Sequence, residues 1–413
     1  MLFSKTKLAS LLSLSMLATL PIYATAQSNT PTKFVIVAPQ CLTKSITTDY
    51  KLLSSKQKFN LIETNEAGLN QLISAKDHQK TPCGSFINVT DAWNTYQNTM
   101  KLPATSASIS SFLTSFTSPI STKSKSTYTI KYDKQVNQLL AQINPQQMWN
   151  TLTTLTHFPD RYANSDNGVK AAQWLKAQVE EIAKANGRTD VSTFTISTGS
   201  SYKQPSVVIK IGTSNEPGIV IGAHMDTLQG YFGSHMPGAD DDGSGSVTVL
   251  EATRTLLSSG MEFKKPIYII WYSAEEMGLV GSQHVVAEFK KKNILVDNVI
   301  HFDMTGYANK KDPTMWLISD NTNKELTDYL GKLIDAYVKK PIKYTSCGYA
   351  CSDHATWNMN GYKAAIAFEA KFNKYNPYIH TGNDKMDILS LTHMTDFTKL
   401  AVAFAVELAE PVS

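Results

Sequence analysis

Short, nearly continuous apolar runs with helical patterns between them set the narrowest limit on what this chain can fold into. They are Ser206-Val207-Val208-Ile209-Lys210-Ile211, Gly218-Ile219-Val220-Ile221-Gly222, Ile267-Tyr268-Ile269-Ile270-Trp271-Tyr272, Val299-Ile300-His301-Phe302 and Ala364-Ala365-Ile366-Ala367-Phe368. A strand that is apolar on both sides must be covered on both sides, as in a largely parallel sheet between helices. The intervening segments supply such helices. Residues 165–185 carry Val169, Ala172, Leu175, Ala177, Val179 and Ile182 near helical spacing, and residues 246–257 and 322–337 read the same way. The last of these opens on Thr322-Asn323-Lys324-Glu325, a capping-box pattern. The expectation is an α/β fold: a central, mostly parallel mixed sheet covered by helices on both faces, preceded by a small N-terminal domain.

The beginning of the chain reads as an export signal. Lys5 and Lys7 precede an apolar stretch over residues 8–20, and Ala24-Thr25-Ala26 ends it with small residues. This implies a signal peptide over 1–26, cut before Gln27, and a secreted, extracellular protein. In an oxidising compartment Cys41, Cys83, Cys347 and Cys351 are expected to form two disulfides. The short spacing of Cys347 and Cys351 favours a local bridge, which leaves Cys41 with Cys83. A net charge of +4 over 413 residues, with no basic block, gives no footing for nucleic acid or an acidic membrane. Residues 103–127 are dominated by Ser, Thr and Pro, and they read as an exposed connector open to proteolysis at Lys123 and Lys125. Residues 27–125 are therefore expected to be a pro-domain with its linker, ahead of a catalytic domain over 126–413.

Polar residues gather where the apolar runs end. His224-Met225-Asp226 follows the second run, Glu275-Glu276 the third and Asp303 the fourth. In open α/β sheets, ligands bind beyond the carboxyl ends of the strands. The loop Gly238-Ala239-Asp240-Asp241-Asp242-Gly243 adds three consecutive carboxylates, which repel one another unless solvated or bound to a cation. Calcium would take oxygen ligands alone, so the histidines move the reading toward zinc. Glu275 and Glu276 offer one carboxylate for a metal and one for a base. His380 lies in an aromatic, loop-like setting.

These residues carry a resemblance. Gly222-Ala223-His224-Met225-Asp226, Pro237-Gly238-Ala239-Asp240-Asp241-Asp242, Ala274-Glu275-Glu276-Met277-Gly278-Leu279 and Phe302-Asp303-Met304 resemble the motifs of secreted bacterial leucyl aminopeptidases with two co-catalytic zinc ions. So do Cys347-Gly348-Tyr349-Ala350-Cys351-Ser352-Asp353-His354 and Asn376-Pro377-Tyr378-Ile379-His380. The likeness runs from about Tyr128 to the C-terminus, in the same order and with similar spacing.

The resemblance implies that two Zn2+ are held by His224, Asp241, Glu276, Asp303 and His380, with Asp241 bridging. It makes Glu275 the general base and Tyr349 a partner for the oxyanion, with Asp226 and Asp242 orienting the ligands. It further implies a cis peptide at Asp241-Asp242. Met304, Leu317, Tyr349, Ile366, Phe368, Phe372, Tyr375 and Ile379 match or approximate its apolar side-chain pocket, Ile366 replacing a methionine. His235, His301 and His354 fall outside the ligand positions. The implied activity is removal of an N-terminal leucine or other large apolar residue from peptides with a free N-terminus, by a monomer. Related zinc carboxypeptidases, deacylases and glutaminyl cyclases are the alternatives. The first two often insert a domain between their ligands, for which the stretch from Asp303 to His380 is too short.

Overall fold

The computed structural model describes residues 33–77, 83–100, 105–117, 127–308 and 313–412. The signal-peptide reading of 1–26 and the lysines of the connector lie outside these residues. The first part of the chain gives β1 (Phe34–Pro39), α1 (Gln40–Thr43), β2 (Lys51–Lys56), β3 (Phe59–Thr64), α2 (Glu66–Asp77), β4 (Ile87–Asn88), α3 (Thr90–Thr99) and α4 (Ser106–Thr117). Then follow α5 (Asp133–Leu140), α6 (Pro145–Thr156), α7 (Asp166–Ala185), β5 (Val191–Ile196), β6 (Ser206–Ile211), β7 (Gly218–His224), α8 (Gly245–Ser258), β8 (Ile267–Tyr272), α9 (Val280–Lys291) and β9 (Val296–Phe302). The chain ends with β10 (Met315–Ile318), α10 (Lys324–Leu333), β11 (Ile342–Thr345), α11 (His354–Met359), β12 (Lys363–Phe368) and α12 (Leu391–Ala409).

The larger sheet runs β11-β10-β12-β9-β7-β8-β6-β5. Its centre, β12-β9-β7-β8, is parallel, and antiparallel pairs at β10-β12, β8-β6 and β6-β5 make the sheet mixed. Alternate residues of each apolar run face opposite layers, as strand geometry requires. Ile219, Ile221, Ile269, Trp271, Ile300 and Phe302 meet α7, α8, α10 and α12, whereas Val220, Ile270, Tyr272 and Val299 meet α9 and α11. The fold is the expected one.

A smaller antiparallel sheet, ordered β2-β3-β1-β4, precedes it. One face packs Phe34, Ile36 and Ile62 under α1 and α2. The other packs Val35, Val37 and Ile87 under α3 and α4, and it also takes in Leu279, just before α9. Cys41 is bonded to Cys83 and Cys347 to Cys351. Among the described residues no helix is long and apolar enough to cross a membrane.

Two local readings are corrected. Residues 106–117, inside the supposed connector, form α4 because Ile109, Phe112, Leu113 and Phe116 recur at helical spacing. Leu113 is fully buried, and Phe112 stacks edge-on to Trp93 at 5.1 Å. The serines and threonines hide this stripe from any argument based on composition. At α10 the capping residue is Asn323, whose side chain accepts from the Leu326 N–H at 2.9 Å, while the Thr322 hydroxyl donates back to Ile318 O.

Just ahead of α5, the chain is fastened by a buried carboxylate. Glu407 on α12 accepts the backbone N–H of Lys131 at 2.8 Å and of Tyr132 at 3.1 Å, and also the Tyr337 hydroxyl.

Candidate metal centre

The site follows from strand order. β8, β7 and β9 are parallel neighbours, so their carboxyl ends bring His224, the Glu275-Glu276 loop and Asp303 to one edge. The turn over Ala239–Ser244 adds Asp241, and the loop after β12 adds His380. The peptide between Asp241 and Asp242 is cis.

Asp241 faces a different imidazole with each oxygen. Its Oδ1 lies 3.0 Å from His224 Nε2 and its Oδ2 lies 2.9 Å from His380 Nε2. His224 Nε2 is also 3.7 Å from Asp303 Oδ1, and His380 Nε2 is 3.1 Å from Glu276 Oε2. Zinc bonds to nitrogen and oxygen of roughly 2.0–2.2 Å at tetrahedral angles place ligand atoms about 3.3–3.6 Å apart. The observed spacings, 2.9–3.7 Å, bracket that edge. The donor set, imidazole and carboxylate without thiolate, suits zinc.

Asp242 also comes within reach of His224 and Asp303. Its oxygens are already engaged, however. They accept N–H groups from His224 at 3.1 Å, Gly245 at 2.9 Å and Met304 at 3.1 Å. Any Cβ at position 245 would sit 2.3 Å from Asp242 Oδ1, so glycine is required there for that approach. Asp242 thus organises the loop, and Asp241 keeps both oxygens for the centre.

Further residues hold the ligands in place. Asp226 Oδ1 lies 3.5 Å from His224 Nδ1, and its carboxylate accepts the N–H groups of Glu275 and Glu276 at 3.0 and 3.2 Å. Such a partner fixes the ring orientation of a ligand histidine. Sequence reasoning missed the others. Asp384 accepts the N–H groups of Asp240 and Asp241, and Asn376 bridges Asp240 and Asp384. Glu369 accepts the N–H groups of Tyr307 and Asn376. Arg161, fully buried, donates to the carbonyls of Met225, Pro237 and Gly238. Isolated residues of common type give no local sign of this; only the folded loop brings them together.

Electrostatics separates the carboxylates. Burial opposes charge on Asp241, yet the facing rings of His224 and His380 outweigh it and hold the group well below the ordinary range. Burial is likewise outweighed at Glu276, held at about 2 by His380 and Lys76. Glu275 is pushed well above the ordinary range by burial, with Glu276 adding to the effect. Burial and the neighbouring Asp240 raise Asp384 to about 8. Adjacent glutamates with opposite shifts can divide ligand and proton-carrying roles.

A cavity of about 80 Å³ opens on this centre. Met304, Tyr349, Phe368, Phe372, Tyr375 and Ile379 line it, with Lys76 and Ser85 from the N-terminal layer. Ile366 lies beneath, packed with Met304 and Phe368. Leu317 does not belong to this wall. It points into the core on the opposite face of β10, and its neighbour Ile318 takes the place beside Ile366. Slipping one residue along a strand exchanges its faces. His301 pairs with Ser352 Oγ at 2.8 Å, His235 with Thr156 O at 2.8 Å, and His354 is buried apart, so none joins the ligand groups.

Residues 206–405 match the sequence profile of Peptidase family M28. Over 292 residues the chain is 35% identical to leucine aminopeptidase 1 of Trichophyton equinum, covering 68% of this chain and 78% of that protein. The crystal structure of the LapA aminopeptidase of Legionella pneumophila is similar at a TM-score of 0.85 and 45% identity, over 93% of this chain and 100% of that one. LapB of the same organism gives 0.83 and 39%, over 92% and 100%. With a buried imidazole–carboxylate centre at the carboxyl ends of its parallel strands, the chain belongs to peptidase family M28, among its metalloaminopeptidases.

Proposed function

We propose that this chain is a secreted, monomeric aminopeptidase that holds two zinc ions and removes leucine or another large apolar residue from the N-terminus of peptides. One observation carries the reading: the two oxygens of Asp241 are shared between imidazoles belonging to different ligand groups. His224, Asp241 and Asp303 would hold one ion, and Asp241, Glu276 and His380 the other. When bound, the ions polarise the scissile carbonyl and acidify the attacking water. Glu275 holds the proton taken from that water and passes it to the leaving amine, a task suited to a carboxyl raised by burial. The Tyr349 hydroxyl, kept protonated by burial, donates to the developing oxyanion. Met304, Phe368, Phe372 and Ile379 offer an apolar surface to the first side chain of the peptide. The disulfides and the start of the chain support export. Residues 1–26 would be a signal peptide, 27–125 a removable pro-domain and 126–413 the catalytic domain.

The test is release of chromophore from a panel of aminoacyl-anilides by the purified protein, before and after chelation, beside metal analysis. The expected result is two zinc ions per chain and a preference for leucyl-anilide that chelation abolishes. Full activity with a single zinc overturns the paired centre. Cyclisation of N-terminal glutamine without anilide release would make the protein a glutaminyl cyclase.

A further inference from the structure

The N-terminal layer enters the metal centre through one side chain. Lys76, near the C-terminal end of α2, places Nζ 2.7 Å from Glu276 Oε2, the same oxygen that lies 3.1 Å from His380 Nε2. The lysine side chain is only 10% exposed and the glutamate 1%. Two hundred residues of sequence separate the pair. An ammonium is withdrawn from water to this degree only where a negative site repays the desolvation.

The layer is held against the same loop by other contacts. The Asn88 N–H donates to Gly278 O at 3.0 Å, and Gln283 Nε2 donates to Asn88 O at 3.0 Å. Leu279 packs among Val35, Ile87 and Trp93. Gly84, with φ of +86°, passes so close to the Tyr349 ring that a Cβ would meet it at 3.0 Å. The cavity left at the centre, about 80 Å³, is small beside the roughly 300–1,000 Å³ of ordinary ligand sites.

We propose that Lys76 is an autoinhibitory plug. Its ammonium occupies the side of the carboxylate cage built around Glu276 and competes there with the cation the cage is made for. The side chain lines the cavity together with Ser85, and its charge stands where the first residue of a peptide would meet the centre. The proposal rests on the aminopeptidase reading and adds the residue through which the N-terminal layer restrains it.

The test uses the full chain, as wild type, Lys76→Met and Lys76→Arg. Zinc affinity is measured by competition with a fluorescent chelator, and turnover on leucyl-anilide is measured at saturating zinc. Lys76→Met should bind the weaker zinc about tenfold tighter or more, the equivalent of one decade in an equilibrium constant. Its turnover should rise, while Lys76→Arg, which keeps the charge, should stay near wild type. Lys76→Gln repeats the experiment if methionine lowers the melting temperature. Wild-type zinc affinity and turnover in Lys76→Met, with activation of the wild type by limited proteolysis, overturns the lysine plug and assigns the restraint to the rest of the layer. If no form acts on any anilide with both zincs bound, the aminopeptidase reading has failed. The zinc titration then decides by itself whether Lys76 competes for Glu276.

Discussion

Arg161 donates from Nη2 to the carbonyl of Gly238 at 2.8 Å, and so fastens the turn that carries Asp241 from behind. The same guanidinium holds Met225 O, next to His224, at 2.8 Å. One buried cation thereby sets two ligand-bearing segments against each other. Arg161→Met should leave the carbonyls of Met225 and Pro237 without that donor, at about 1–3 kcal/mol for each unsatisfied group, whereas Gly238 O keeps the Gly243 N–H at 3.0 Å. Arg161→Lys should recover only part of the loss, since an ammonium lacks the fork that spans separate acceptors. Thermal denaturation and zinc titration check both; a Met variant that melts like wild type contradicts the role.

Glu275→Gln is expected to keep its zinc and lose turnover. On the proposed roles the ligands are untouched, and the group lost is the one that would carry the proton, worth roughly 10²–10⁴-fold. Metal analysis beside kinetics decides, and near-normal turnover in a fully loaded variant removes Glu275 from that role.

Asp241→Ala and Asp240→Ala should part ways. The first removes the carboxylate shared by His224 and His380, so bound zinc should fall. The second removes a group tied to Ser244, Gly306 and Asn376, so the loop should loosen while zinc is largely kept. The reverse pattern would shift the bridging role by one position.

On β10 and at the cavity, Leu317→Ala and Phe372→Ala test which residues belong to the core and which to the pocket. Leu317 is fully buried in the main core, and its truncation should cost about 2–5 kcal/mol of stability. Its ratio of leucyl- to alanyl-anilide turnover should not change. Phe372 lines the cavity, and its loss should change that ratio with a smaller effect on melting temperature. A changed ratio in Leu317→Ala would place that side chain at the pocket after all.

Strand ends were legible because uninterrupted apolar runs name both the strands and the points where they stop. That is enough to bring His224, Glu276 and Asp303 to one edge of a parallel sheet. Finer positions depended on information a single residue does not carry. The choice between Leu317 and Ile318 is a choice of face, and both residues are apolar. The helix at Ser106–Thr117 was concealed by its hydroxyl residues, although Ile109, Phe112, Leu113 and Phe116 had the right spacing. The approach of Lys76 to Glu276 had no local sign at all, being set by the docking of the smaller sheet on the loop after β8.

Glu407 marks where shortening of the chain from its front must become costly. An enzyme that removes residues from free N-termini is exposed to its own kind, because every cleavage of the leading segment creates a fresh terminus in a solution of identical molecules. Trimming that advances past residue 127 soon reaches Lys131 and Tyr132, whose amides are held by the buried carboxylate. To feed those residues into another copy, both amides must leave Glu407, and the buried carboxylate is left with the Tyr337 hydroxyl alone. The clamp should therefore act as a ratchet stop, with populations trimmed to different degrees converging on a shared first residue just before it.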